Sequence, residues 1–377
     1  MSPQTPSPRA PRDTALVLGG CGFLGWHLVA RLLACREYDG GVYVLDRNTR
    51  VNLHDGATYI QGDLTQESAL RAVLDQARPS VVFHAASPVA SLPARMVGEF
   101  VKTNVDGTKV VIELATESAS VKALVYTSTV DVYANPPHEN VSEDDALWSP
   151  SDRSNEYNRT KAMADHLVRA ANGPRLRTAS LRLGHAYGER QSQGLAEMLD
   201  SCGGTKPLIQ IGNGANMMEV VSAENCALGH VLVARALLGD GRGDGRVAGE
   251  AFNISDGAPV PFWHHVRVVW RACRGDEALN SVIVLPAWVM VVAVAVVEWV
   301  LWLSTLDTVK PPTVLRRTAL EYCIYNHTYT IGKARQRLGF RPVADHDAVL
   351  TRAVRLMLAE RAELAKAESV ESLRKRT

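Results

Sequence analysis

The chain has 377 residues, and its 41 Lys and Arg offset 40 Asp and Glu to a net charge of +1. That balance excludes an electrostatic footprint for nucleic acid, while the length allows a large main domain with a smaller lobe. Six cysteines lie scattered with no Cys-x-x-Cys, and His264-His265 has no third ligand at metal spacing. A disulfide framework and a metal centre are therefore not expected.

Residues 1–13, with Pro3, Pro6, Pro8 and Pro11, read as a disordered leader without the apolar core of a secretory signal, which leaves the body facing the cytosol. The apolar run Ala15-Leu16-Val17-Leu18 then breaks into Gly19-Gly20-Cys21-Gly22-Phe23-Leu24-Gly25 and resumes at helical spacing from Trp26 to Leu33. This is a strand, a tight turn and a helix. Glycines at 19, 22 and 25 let backbone approach a phosphate, and the helix N-terminus favours a negative group; close packing alone is the competing use of such a turn. The next strand, Gly41–Leu45, ends in Asp46, where a carboxylate can hold ribose hydroxyls and repel a 2′-phosphate. NAD is thus expected rather than NADP, with Arg47 pulling the other way.

A short strand over 57–61 leads to Asp63 and Leu64, placed to meet an adenine amine and pack on its ring, although Asp63 also suits a helix cap. Ser68–Ala77 reads as a helix, and Ser80–Phe83 as a buried strand. The small residues Ala85, Ala86 and Ser87 follow it and can lie against a cofactor. A helix carrying Asn104 precedes a strand over 123–126, which ends in the hydroxyls of Thr127, Ser128 and Thr129. Ligands bind at the carboxyl ends of strands in such sheets, and the alternation predicts an α/β, doubly wound parallel sheet. Next, Tyr157 and Lys161 stand four apart on a helical stretch and project from one face. An ammonium beside a phenol favours the phenolate, so the spacing predicts a lowered Tyr157 pKa and an acid/base near neutral pH. An ordinary amphipathic face is the bland alternative.

With these segments, together with Asn104-Val105-Asp106-Gly107-Thr108, Ala251-Phe252-Asn253-Ile254-Ser255 and Ile331–Pro342, the chain resembles the extended short-chain dehydrogenase/reductases, in their 3β-hydroxysteroid dehydrogenase branch. The resemblance runs from Thr14 to about Pro342 and implies a Rossmann-type NAD-binding domain over 14–183, with a returning strand near 250–255. A mixed substrate lobe would come from 184–249 and 256–345, and 346–377 would be a charged helical tail. It implies that Tyr157 is the general base in oxidation and that Lys161 holds the nicotinamide ribose. Thr129 would be the third catalytic hydroxyl, with Ser128 the fallback. Gly19, Gly22, Phe23, Leu24, Gly25, Asp46, Asp63, Leu64, Ala85, Ala86, Ser87, Asn104, Tyr157, Lys161 and Leu183 would contact the cofactor.

The implied reaction is oxidation of a 3β-hydroxyl on a sterol or steroid, with CO₂ loss where a 4-carboxylate is present. A dehydrogenase of a specialised triterpenoid pathway without decarboxylation, and a non-catalytic membrane-tethered NAD-binding protein, are the alternatives. Three segments depart from the family pattern: Leu18 before the glycines, Leu183–Gly188 without the usual proline, and Met217–Ala223 in place of a more aromatic stretch. Only the last bears on the substrate, since Met adapts to irregular shapes.

From Val282 to Leu303 the only ionisable residue is Glu298. A full membrane span, an in-plane anchor, a buried helix and a flap over an apolar cavity compete for this stretch. A full crossing would separate Ile331–Pro342 from the domain it should pack on. Trp288, Val292, Ala295, Trp299 and Trp302 recur on one face, which favours attachment to a membrane surface, in this context that of the endoplasmic reticulum, catalytic body in the cytosol. A second copy of the chain, or other sterol-pathway enzymes, are the protein partners such a role implies.

Overall fold

The computed structural model describes residues 13–374 apart from 90–95, 97, 135, 152–154, 192–193, 203–206, 240–246, 306–316 and 344. The proline-rich leader expected over 1–13 lies almost wholly outside the described residues. The fold is built on seven parallel strands: β1 (Thr14–Leu18), β2 (Gly41–Asp46), β3 (Ala57–Gln61), β4 (Val81–His84), β5 (Ala123–Thr129), β6 (Arg177–Leu183) and β7 (Ala251–Ile254). Their order is β7-β6-β5-β4-β1-β2-β3. The chain winds outward from β1 to β3, then returns past β1 to continue through β4. That reversal opens a crevice between the carboxyl ends of β1 and β4, the switch point where such sheets take ligands.

Strands buried on both faces read as continuous apolar runs, and β1 shows why. Ala15 and Val17 face one layer, with Val29 and Leu32 of helix α1 (Phe23–Leu33) and Cys226 and Val231 further along the chain. Leu16 and Leu18 face the other, with Leu70 and Val73 of α2 (Glu67–Ala77), Val111 and Leu114 of α3 (Thr108–Glu117) and Val168 of α4 (Glu156–Ala170). The stretch after residue 330 closes the first layer, since Ile331, Ala334 and Phe340 are buried there.

A second core forms around α5 (Phe262–Arg274). Trp263, Val266 and Trp270 pack there against Leu350 and Val354 of the long final helix, which runs from His346 to Arg374. This docking corrects the expectation that His264 has no neighbours of ligand type. One Asp347 carboxylate oxygen accepts from His264 Nε2 at 2.8 Å and from His346 Nδ1 at 2.7 Å. The partners come from a segment some eighty residues away, which local spacing does not reveal.

The apolar stretch forms a helix, α6 (Ala287–Thr305), 19 residues long with a mean hydropathy of 2.1, long and apolar enough to cross a membrane. It is not a buried core helix. Trp288, Trp299 and Trp302 are 71%, 66% and 53% exposed, and Val292 and Ala295 lie exposed between them. Val294 on the opposite side is buried. Both flanks stay on the body: Ile283–Leu285 pairs with Ile209–Ile211 before it, and a helix over Arg317–Ile324 follows it. Glu298 accepts a hydrogen bond from the Arg317 amide at 3.2 Å, at the N-terminus of that following helix, where a negative charge is favoured.

Candidate active site

The turn after β1 is fixed by steric contact. Gly19 adopts φ +82°, and a Cβ there would lie 2.7 Å from the Ala86 Cα. A Cβ on Gly25 would lie 2.1 Å from the Gly19 carbonyl oxygen, so neither position accepts a side chain. The Gly22 amide donates to that carbonyl at 3.1 Å and closes the loop. Gly22 brings no side-chain cap to the first amides of α1, which suits an anion lying on the helix N-terminus. Phe23 and Leu24 begin that helix. Asp46 reaches across from the end of β2: its carboxylate accepts from the Cys21 amide at 3.0 Å and the Asn48 amide at 3.1 Å. The residues therefore fit a dinucleotide, with backbone for the diphosphate and a carboxylate beside the ribose position.

On the other wall the Ala85 amide donates to the Leu18 carbonyl at 3.0 Å, which draws Ala85–Ser87 against the turn. Asn104 lies in a wide helical turn, Val101–Gly107. It bridges Ser87, whose hydroxyl donates to Asn104 Oδ1 at 3.0 Å, and Thr160, which accepts from Asn104 Nδ2 at 3.1 Å. Asn104 thus ties the cofactor wall to α4. Asp63 caps its own turn by accepting from the amide and hydroxyl of Thr65 at 2.9 and 2.8 Å. Burial opposes its charge, but these bonds prevail and hold the carboxyl below its ordinary range. Leu64 is buried with Leu45 and Leu70, so it packs into the main core. Leu183 is buried at the end of β6.

Helix α4 starts at the Asn155 cap, whose side chain accepts from the Asn158 amide at 2.8 Å. This sets Tyr157 on its first turn and Lys161 one turn on. The Tyr157 phenol faces Thr129 at the end of β5, whose hydroxyl favours the phenolate. Lys161 is buried: its Nζ donates to the Thr127 carbonyl at 2.6 Å and lies 4.4 Å from the centre of the Tyr126 ring. Ser128 is buried beside Asp165 beneath the site, and its hydroxyl has no hydrogen-bond partner among the described residues.

The electrostatics correct the sequence-based expectation. Burial, and then the charge of Asp131, push the Tyr157 phenol up from its ordinary value, and the nearby Thr129 hydroxyl only partly offsets them. Burial also draws Lys161 down to about 7, against the pull of Asp165. The ammonium expected to acidify the phenol is itself desolvated, and its proton is directed at a backbone carbonyl.

Two groups of residues escaped the sequence reading. The first is a buried ion pair: Arg182 Nη2 and Nε donate to the two oxygens of Asp165 at 3.0 and 3.2 Å. Arg182 Nη1 continues to the Tyr133 hydroxyl at 3.0 Å, and that hydroxyl donates to Asn253 at 2.7 Å. The network ties α4, β6, β7 and the turn after β5 together under the site. Its signal was the position of Asp165, one further turn along the Tyr157–Lys161 face. The second is Asp131, just beyond Thr129, which accepts from the Thr129 hydroxyl at 3.2 Å and from the hydroxyl of Tyr322.

A parallel sheet with a glycine turn at its switch point and a Tyr-x-x-x-Lys helix against the next strand end defines a dinucleotide-dependent dehydrogenase of the short-chain type. The profile of the 3-beta hydroxysteroid dehydrogenase/isomerase family matches residues 16–287. The chain belongs to that family and is an oxidoreductase. It is 31% identical to a sterol-4-alpha-carboxylate 3-dehydrogenase, decarboxylating, of Gibberella zeae, over 77% of this chain and 94% of the relative. It is 30% identical to the mouse protein of that name, over 90% of this chain and 89% of the relative. Among solved structures, a UDP-glucose 4-epimerase of Thermotoga maritima superposes with a TM-score of 0.68 at 20% identity, covering 92% of this chain and 99% of that one. A dTDP-glucose 4,6-dehydratase of Streptomyces venezuelae with NAD bound gives 0.67 at 24%, covering 93% and 98%.

Proposed function

We propose that the chain oxidises the 3β-hydroxyl of a sterol with NAD, and that a carboxyl group on the adjacent C4 is then lost as CO₂. The observation that carries this reading is Tyr157 and Lys161 on one face of α4, with Lys161 fastened to the Thr127 carbonyl at the hydroxyl-bearing end of β5, in a chain whose near-full-length relatives are named for this reaction. NAD, held by the Gly19–Gly25 turn with Asp46 on its ribose, supplies the hydride acceptor. Tyr157 and Thr129 bind the substrate oxygen and orient C3, and Lys161 lends positive potential beneath them. Once C3 is a ketone, the carboxylate on C4 is β to it. The C4–carboxyl bond then breaks with its electron pair passing to the ketone oxygen, where the two hydroxyls stabilise the enolate, and C4 takes up a proton.

The test is NADH formation by purified protein with 3β-hydroxysterols bearing or lacking a 4-carboxylate. Turnover is expected with both oxidisable types and CO₂ only with the carboxylate. No NADH from any sterol, despite NAD binding, overturns the reading.

The same reading sets the enzyme on the cytosolic surface of the endoplasmic reticulum, with α6 lying in the lipid interface. The tryptophan-bearing face is exposed while both flanks return to the body, which favours an in-plane anchor over a span. Protease mapping of sealed membranes is expected to leave the final helix accessible from outside; full shielding of it overturns this placement.

A further inference from the structure

We propose that His264, His346 and Asp347 bind a divalent transition-metal ion, zinc by their chemistry, which clamps the first turn of α5 to the first turn of the final helix. None of the three belongs to the cofactor turn or to the Tyr157 face, so the site is independent of the sterol reading. His264 Nε2 and His346 Nδ1 both reach Asp347 Oδ1, at 2.8 and 2.7 Å. The three ligand atoms all lie within 4.8 Å of one another. Around zinc, with bonds of about 2.0 Å in a tetrahedron, ligand atoms stand about 3.3 Å apart. Each contact therefore has to open by only about half an ångström, which side-chain rotation supplies. Two imidazoles with one carboxylate select zinc or cobalt over magnesium and calcium, which take oxygen ligands. Three protein ligands leave the fourth position to water.

The surroundings hold these ligands in place. Asp345 caps the final helix, its carboxylate accepting from the Ala348 amide at 3.2 Å and its carbonyl from the Val349 amide at 2.9 Å. That cap fixes the turn which carries His346 and Asp347. The other ring nitrogen of His346, Nε2, lies 2.9 Å from His265 Nδ1, and His265 is buried. A metal-bound imidazole usually gives its second N–H to such a partner, which sets the ring's tautomer and direction. His265 is itself held edge-on to the rings of His185 and Tyr187, at 5.6 and 6.0 Å between centres. His264 and Asp347 keep nearly half of their side-chain surface open to solvent. Asp347 also lines an open groove of about 620 Å³ along the final helix, which gives an ion a way in. Arg352 in that groove is balanced by Glu189 and Glu224, at 2.6 and 2.9 Å. Both helices turn their positive N-terminal ends toward the site, which weakens cation binding, so micromolar affinity is expected.

A hydrogen-bonded trio with no metal is the competing use of the same atoms, and metal titration separates the two. The full-length protein, stripped with EDTA, is titrated with zinc chloride by calorimetry and with cobalt chloride by visible absorption. One zinc per chain is expected, with the strong visible bands of four-coordinate cobalt at the same stoichiometry. Zinc at about 100 times its Kd should raise Tm by about 3 °C. Asp347→Asn and His264→Ala should each weaken zinc binding at least 10-fold and remove both the cobalt bands and the Tm gain. His166→Ala, at an exposed position on α4, should change none of these readouts. No zinc uptake, or cobalt with only the pale spectrum of the hydrated ion, overturns the site in wild-type protein without recourse to any variant. Zinc affinity that survives both ligand substitutions assigns the ion to another part of the surface and overturns it equally. Absence of NADH with every sterol, alongside normal zinc uptake, overturns the sterol reading alone.

Discussion

The carboxyl edge of the sheet and the second core beside it solve different problems. At the edge, distances of 2.1 and 2.7 Å from would-be side-chain atoms leave no freedom at Gly25 and Gly19, so the cofactor wall is set by backbone alone. The second core is assembled from segments far apart in the chain: Tyr322 reaches Asp131 across 191 residues, and the Trp263 indole donates to the Cys323 carbonyl at 3.2 Å. Changes at the edge should therefore remove binding outright. Changes in the second core and the helix beside it should tune rate, substrate or attachment.

The sharpest break of that contrast is Gly25→Ala, which is expected to abolish NAD binding by calorimetry in whatever folded protein is recovered; retained affinity would mean the turn can relax. Next, Arg182→Ala leaves the buried Asp165 charge with Arg169 alone, 2.9 Å away, and should cost about 3 kcal/mol in urea unfolding, the lower end for breaking a buried pair. A loss below about 1 kcal/mol would mean that the network joins the strands without supporting them.

A subtler effect comes from Lys161, held at about 7 when folded against 10.5 when free. Between those values the unfolded chain binds the extra proton, so this lysine's contribution to stability rises as pH increases from 7 to 10.5. The wild-type urea midpoint should gain on that of Lys161→Met across this window, and a constant gap would show that the amine is solvated. Smallest in its effect on turnover, Trp299→Lys with Trp302→Lys should leave the rate on detergent-dispersed substrate unchanged while releasing the protein from vesicles in a flotation assay.

The glycine turn, Asp46 and the Tyr157–Lys161 pair were legible because each is written in local spacing: 3-residue steps in a turn, a strand end, one helical turn. The phenol's electrostatics were not, since burial and a carboxylate oriented by a three-residue turn outweigh the neighbour that the helix provides. Asp63 and Leu64 show a related limit. Their positions beyond β3 were correctly placed, but Thr65 engages the first and the core buries the second. The apolar stretch could be recognised as a helix from composition, whereas the exposure of its tryptophans depends on where Ile283–Leu285 and Arg317–Ile324 fasten its ends. Arg182 illustrates the same point from inside: its partner, Asp165, is visible only once α4 lies on the sheet.

Glu298 gives the apolar helix one tether that its composition would not suggest. Pulling α6 away from the body would strip the Arg317 amide from that carboxylate. If α6 is the proposed anchor, its flanking strand pair and this hydrogen bond hold it to the body, and a lipid surface that takes up the tryptophans would set the tilt of the molecule. The crevice would then keep a constant bearing toward the bilayer, as a moored hull does toward its quay.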